Sequence, residues 1–129
     1  MRFFYDTIIA CCFTLLTACN VQKDKAIQSI SLQTLKQDVI GKDVQFIDVR
    51  TPEEYIEHID DAVNISIAHM EQFKHNVLKL DKNKPVYVYC HKGVRSRRAS
   101  HLLSTLGFKE IYDFTGGWKA WQAHNKKQQ

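Results

Sequence analysis

Short apolar runs alternate with stripes of helical spacing over most of this chain. Ser31 stands where a helix cap belongs, and Leu32, Leu35 and Val39 follow at helical intervals, so a helix is expected that ends near Gly41. Val44 to Val49 (VQFIDV) is a short apolar run with Asp48 near its end and predicts a buried strand. Thr51 to Glu54 (TPEE) sets a cap residue, a proline at the first helical position and a glutamate three residues past the cap, which predicts a helix from Pro52 to about Ile59. After an Asp60-Asp61 turn, Ala62 to Ile67 (AVNISI) reads as a strand, and Met70, Phe73, Val77 and Leu80 mark one face of a helix. Pro85 to Tyr89 (PVYVY) is the clearest strand and runs straight into Cys90. Ala99, Leu102, Leu103 and Leu106 form the next stripe, closed by Gly107 in the position that favours a left-handed residue. Glu110 to Phe114 is the last strand, and a final helix from Gly117 to about His124 carries Trp118 and Trp121, both expected in the core. Strands alternating with helices predict an α/β fold: one domain, a mainly parallel central sheet of about five strands, helices on both faces.

The first residues break this pattern. Arg2 precedes an apolar stretch, Thr7 to Leu16, too short to span a bilayer and about the length of a signal peptide's apolar region. LTAC, Leu16 to Cys19, resembles the lipobox of bacterial lipoproteins, which implies a signal peptide over residues 1–18 and a lipidated Cys19. Two or more acyl chains hold a protein stably at a membrane, so an exported, lipid-anchored protein of the bacterial envelope is expected, on the periplasmic or outer face. Residues 19–28 are then anchor and polar tether, 29–124 the domain, and 125–129 a polar tail.

With 44% hydrophobic and 25% charged residues in 129, the chain has the composition of one ordinary globular domain. The net charge of +4 is spread among interspersed acidic residues, so no nucleic-acid partner is expected. Of its four cysteines, Cys11 and Cys12 leave with the signal peptide and Cys19 goes to lipid, which isolates Cys90. A single unpaired thiol in an oxidising compartment is either buried and inert or kept for its reactivity.

The setting of Cys90 favours reactivity. It lies at the carboxyl end of a central strand, where open α/β sheets bind ligands. In CHKGVRS, Cys90 to Ser96, Gly93 permits a sharp turn whose backbone N–H groups converge on one point. A helix N-terminus aimed there and the charge of Arg95 both stabilise a thiolate and an anion beside it. His91 is a loop residue at the mouth; no second His or Cys stands at a ligand spacing from it, so no metal and no cofactor are expected. Arg97 and Arg98 read as a solvated helix face.

CHKGVRS resembles the active-site loop of the rhodanese family, in which a cysteine is followed by four residues and an arginine. FIDVRTPEEY (Phe46 to Tyr55), HIDDAVNI (His58 to Ile65) and TGGWKAW (Thr115 to Trp121) are similar to further family motifs in the same order, so the resemblance runs from about Ile30 to Trp121. Three positions depart: Glu57 and Asp61 stand where the family has glycines, and His91 where arginine is frequent. The resemblance implies a sulfurtransferase, expected to be a monomer, with Cys90 as nucleophile. His91, Lys92, Gly93, Val94, Arg95 and Ser96 would hold the sulfur or its donor, a small sulfur-containing anion. A thiol, cyanide or a protein thiol would be the acceptor. It also implies that Asp48 and Arg50 brace the loop, with Arg50 paired to Glu54. Dual-specificity phosphatases share the implied fold but need a longer loop, so the four residues between Cys90 and Arg95 favour sulfur over phosphorus. The alternative class is a partner-specific persulfide carrier or binding module.

Overall fold

The computed structural model describes residues 26–128. The apolar segment Thr7 to Leu16 and Cys19 lie outside the described residues. No helix among those described is long and apolar enough to cross a membrane.

Five parallel strands form one sheet in the order β1-β5-β4-β2-β3, with β1 Ile27–Ser29, β2 Gln45–Asp48, β3 Val63–Asn64, β4 Val86–Tyr89 and β5 Ile111–Asp113. Three helices lie between strands, α1 Leu32–Asp38, α2 Met70–Val77 and α3 Val94–Thr105, and α4 Gly117–Lys126 follows β5. Successive side chains of a strand point to opposite faces, and the core divides accordingly. Ile47, Val86, Val88 and Cys90 pack with Phe73 and Val77 of α2 and Ala99 and Leu103 of α3. Phe46 and Tyr89 pack on the other face with Leu35 of α1 and Trp121 of α4. Every parallel connection needs a crossover, and here the crossovers cover both faces.

Most predicted elements form near their expected places. Ser31 caps α1 by accepting the Thr34 N–H at 3.1 Å, and Gly107 follows α3 with φ 97°. Three expectations are corrected. The helix from Pro52 to Ile59 is only a 3-10 turn, Glu54–Ile56. Thr51 Oγ1 does accept the Glu54 N–H at 3.3 Å and donates to Glu54 Oε1 at 3.4 Å, but the Glu54 carboxylate, which a capping box turns back to the backbone N–H of the cap, makes two shorter bonds to Arg95. At Glu57 the backbone is extended, φ −109° and ψ 119°, with its carbonyl accepting from Arg50 Nη2 at 2.7 Å, so helical bonding stops there. The strand expected over Ala62 to Ile67 shrinks to Val63–Asn64, although Ile65 and Ile67 still donate to Asp48 and Val49 carbonyls. Finally, the polar segment assigned to a tether contributes Ile27 and Gln28 to β1, which pairs with β5 at the sheet edge.

Candidate active site

β4 occupies the middle of the sheet and delivers Cys90 at its carboxyl end, with the side chain 1% exposed. The loop after it is fixed from behind. Trp118 N–H donates to the Cys90 carbonyl at 2.9 Å, and Lys119 N–H to the His91 carbonyl at 3.2 Å, so both carbonyls face the first turn of α4. In a trans peptide the N–H lies opposite the C=O, so the His91 and Lys92 N–H groups point away from α4. Gly117 makes this approach possible: a Cβ there would sit 2.5 Å from the Cys90 oxygen and 2.6 Å from that of His91.

Gly93 turns the loop into α3 with φ 95°, and its N–H donates to Cys90 Sγ at 3.1 Å. A Cβ at Gly93 would meet the Thr115 carbonyl at 2.8 Å, so glycine is required here by space as well as by backbone angle. The thiol donates to Ser96 Oγ at 3.5 Å, and that hydroxyl donates to the Gly93 carbonyl at 3.3 Å. The first N–H groups of a helix have no intrahelical partner, and those of α3 begin at Val94 beside the sulfur. The loop therefore sets one N–H donor, one hydroxyl and the positive end of a helix next to the sulfur.

Below the loop, Arg50 and Asp48 form a buried ion pair, 2% and 0% exposed, with the guanidinium Nη2 2.7 Å from Asp48 Oδ2. Arg50 also donates from its backbone N–H and Nε to the same carboxylate. Its guanidinium stacks 4.9 Å from the Trp118 ring centre. Burial opposes the Arg50 charge, yet the Asp48 bonds outweigh it and its pKa is raised. Tyr89 donates to Asp48 Oδ2 at 2.5 Å and accepts the Ile59 N–H at 3.0 Å; burial first, and the Asp48 bond second, push its phenol pKa up. Asn64 donates to the Asp48 and Arg50 carbonyls. Asp48 and Arg50 bond to each other, to Tyr89 and to the Glu57 carbonyl, and the expected Arg50–Glu54 pair is absent among the described residues.

Glu54 binds Arg95 instead, through two bonds of 2.7 and 2.8 Å. That contact lowers the Glu54 pKa and raises that of Arg95. A cleft of about 670 Å³ opens here, lined by Arg50, Arg95, His91, Trp118, Ile56 and the three glutamates Glu53, Glu54 and Glu57. Of the candidate loop residues, His91 and Arg95 line the cleft, Gly93 and Ser96 touch the sulfur, and Lys92 and Val94 have exposed side chains. Trp118, expected in the core, is half-buried and forms a cleft wall, while Trp121 is the core residue. Sequence reasoning also missed Asp113, which is 3% exposed and has one carboxylate oxygen without a hydrogen-bond partner among the described residues. Burial raises its pKa, against the opposing pull of the Ser96 hydroxyl, Arg97 and His101.

A central parallel strand thus ends in Cys90, the one cysteine among the described residues, with the Gly93 N–H directed at its sulfur and the α3 N-terminus following in the same loop. The chain belongs to the rhodanese-like domain family, whose match covers residues 31–124. It is 39% identical over 85 residues to the thiosulfate sulfurtransferase GlpE of Coxiella burnetii, a match spanning 65% of this chain and 77% of that protein. The thiosulfate sulfurtransferase GlpE of Shewanella oneidensis is 32% identical over 97 residues, covering 74% and 93%. The crystal structure of a rhodanese-like domain protein from Staphylococcus aureus superposes with a TM-score of 0.63 at 33% identity, covering 73% of this chain and 90% of that one. These relatives support a sulfurtransferase family.

Proposed function

We infer that the protein is a sulfurtransferase that carries a sulfane sulfur on Cys90. The observation that supports this best is the Gly93 N–H directed at Cys90 Sγ at 3.1 Å within a loop of only four residues between Cys90 and Arg95. The Cys90 thiolate attacks the outer sulfur of thiosulfate, the S–S bond of the donor breaks, and its electron pair leaves with sulfite. Cys90 is left as a persulfide anion, and the loop N–H groups with the α3 N-terminus stabilise it as oxyanion donors do elsewhere. Ser96 accepts from the thiol in the resting state, and a turn of its hydroxyl lets it donate to the thiolate. A guanidinium carries more N–H donors than one carboxylate can take, so Arg95 can hold Glu54 and the donor anion together. A thiophilic acceptor, such as cyanide or a thiol, then takes the outer sulfur and regenerates the thiolate.

A two-step covalent scheme gives ping-pong kinetics. With thiosulfate and cyanide varied together, parallel double-reciprocal lines and loss of turnover in Cys90→Ser are expected, with no turnover of an aryl phosphate. Intersecting lines, or full activity of Cys90→Ser, would overturn the scheme. The N-terminal reading forms part of the proposal: LTAC ending at Cys19 supports a lipid anchor in a bacterial envelope. Palmitate labelling of the cells that is lost in Cys19→Ala is the expected outcome; label retained in that variant would contradict it.

A further inference from the structure

The cleft that His91 and Arg95 of the Cys90 loop line carries the wrong charge for a site whose only visitors are small anions. Both of its arginines are already answered, Arg50 by Asp48 and Arg95 by Glu54. Glu53 and Glu57 line the same cleft, are exposed, and form no ion pair among the described residues. The exposed cations nearby, Lys92, Arg97 and Arg98, are not part of its lining. Two uncompensated carboxylates therefore set the sign of the entrance.

Apolar surface lies beside that charge. The two most exposed large hydrophobic residues described are Ile56, 82%, and Val94, 79%. Ile56 is in the cleft lining, and Val94 lies in the catalytic loop between Gly93 and Arg95. Glu57, where the family has glycine, has an extended backbone that any residue adopts. Its carbonyl is held by Arg50, so the backbone from which the exposed carboxylate extends is anchored without strain.

We propose that the lip formed by Glu53, Ile56 and Glu57, together with the exposed Val94 next to the cleft-lining Arg95, is a docking surface for a protein acceptor whose cysteine lies on a basic segment flanked by apolar residues. The proposal rests on the sulfurtransferase reading and names its acceptor class. Charge complementarity draws the basic segment to the cleft, and Ile56 and Val94 receive its apolar flanks. The acceptor thiolate attacks the outer sulfur of the Cys90 persulfide, the S–S bond breaks, its electron pair returns to Cys90 Sγ, and the acceptor leaves as the persulfide. The same lip repels a dianionic donor. Salt thus has opposite effects on the two half-reactions: loading from thiosulfate quickens as ionic strength rises, and discharge to a basic thiol slows.

Two synthetic peptides test this, each with a central cysteine between leucines, one ending in lysines and the other in glutamates. The persulfide form is prepared with thiosulfate and its discharge is followed by mass spectrometry. At low salt the basic peptide is expected to discharge it about ten-fold faster than the acidic one, as two exposed charge pairs permit. In the double variant Glu53→Gln, Glu57→Gln that ratio falls towards unity. Equal rates for the two peptides, or a ratio unchanged in the double variant, would overturn the docking surface. Serine-for-cysteine versions of both peptides, titrated by NMR with the Ile56 and Val94 amides as reporters, read binding without any sulfur chemistry. If no sulfur loads, the sulfurtransferase reading fails, while a titration with no preference for the basic peptide overturns the lip on its own.

Discussion

Replacing Gly117 by alanine tests whether the first turn of α4 sets the geometry of the Cys90 loop. Gly117 has φ 62°, and an L-residue in that region costs about 1–2 kcal/mol. Alanine also brings a Cβ to 2.5 Å from the Cys90 oxygen, 2.6 Å from the His91 oxygen and 2.9 Å from the His91 carbonyl carbon. These are backbone atoms at the end of a central strand, so relief requires the loop itself to shift. Overpacking of this kind costs about 1–3 kcal/mol more. Gly41 provides the control, because it has φ 73° but a Cβ added there would have nothing within 4 Å, so Gly41→Ala carries the backbone cost alone. Urea unfolding of the two variants should differ by about 1–3 kcal/mol, with Gly117→Ala the weaker. Thiosulfate loading at Cys90, measured under conditions where both remain folded, should be slowed only in Gly117→Ala, because moving the two carbonyls also turns the His91 and Lys92 N–H groups. Equal stabilities, or normal loading in Gly117→Ala, would refute the claim that α4 orients the loop.

Three further outcomes follow from the same structure. Arg50→Ala leaves the fully buried Asp48 carboxylate without its charge partner and should cost about 3–5 kcal/mol in denaturant unfolding; a loss below about 1 kcal/mol would contradict the bracing role. Burial raises the Asp113 pKa in the folded state, so its contribution to stability is greatest in acid and declines as pH rises through the folded pKa. Asp113→Asn should therefore stabilise at neutral pH by an amount that shrinks as pH falls through the carboxylate range, and a pH-independent difference would count against this. Asp61 has φ 68° and accepts the Gly41 N–H at 2.7 Å, so Asp61→Ala loses that bond and meets the left-handed penalty, about 1–3 kcal/mol in thermal or urea unfolding. Asp61→Gly loses the bond but not the conformation and should stay within about 1 kcal/mol.

The parts of this protein legible in its sequence are those governed by neighbouring residues. Ser31 caps α1, PVYVY forms β4, and Gly93 opens α3 because each depends on a local conformational preference. The Pro52 helix failed for the opposite reason. TPEE is a sound local signal, but Arg95, forty-one positions away in sequence from Glu54, takes the carboxylate that a cap would use. With Glu54 bound by Arg95, Arg50 pairs with Asp48 two residues before it. β1 escaped notice because Ile27-Gln28-Ser29 offers one apolar residue and no alternation; its strand conformation comes from pairing with β5. The acidic lip was hidden too, since Glu53 and Glu57 resemble any solvated helix face until the chain folds them into one cleft with His91 and Arg95.

Everything proposed for this site depends on Cys90 accepting a sulfur atom, and intact-protein mass spectrometry after incubation with thiosulfate reads that step without an intermediary. Cys90→Ser is the paired sample, since it retains the other three cysteines of the sequence. A gain of one sulfur atom in the parent, removed by cyanide, and none in the variant is expected. No gain in a parent whose Cys90 is reduced, or an equal gain in both proteins, would show that Cys90 is not the acceptor.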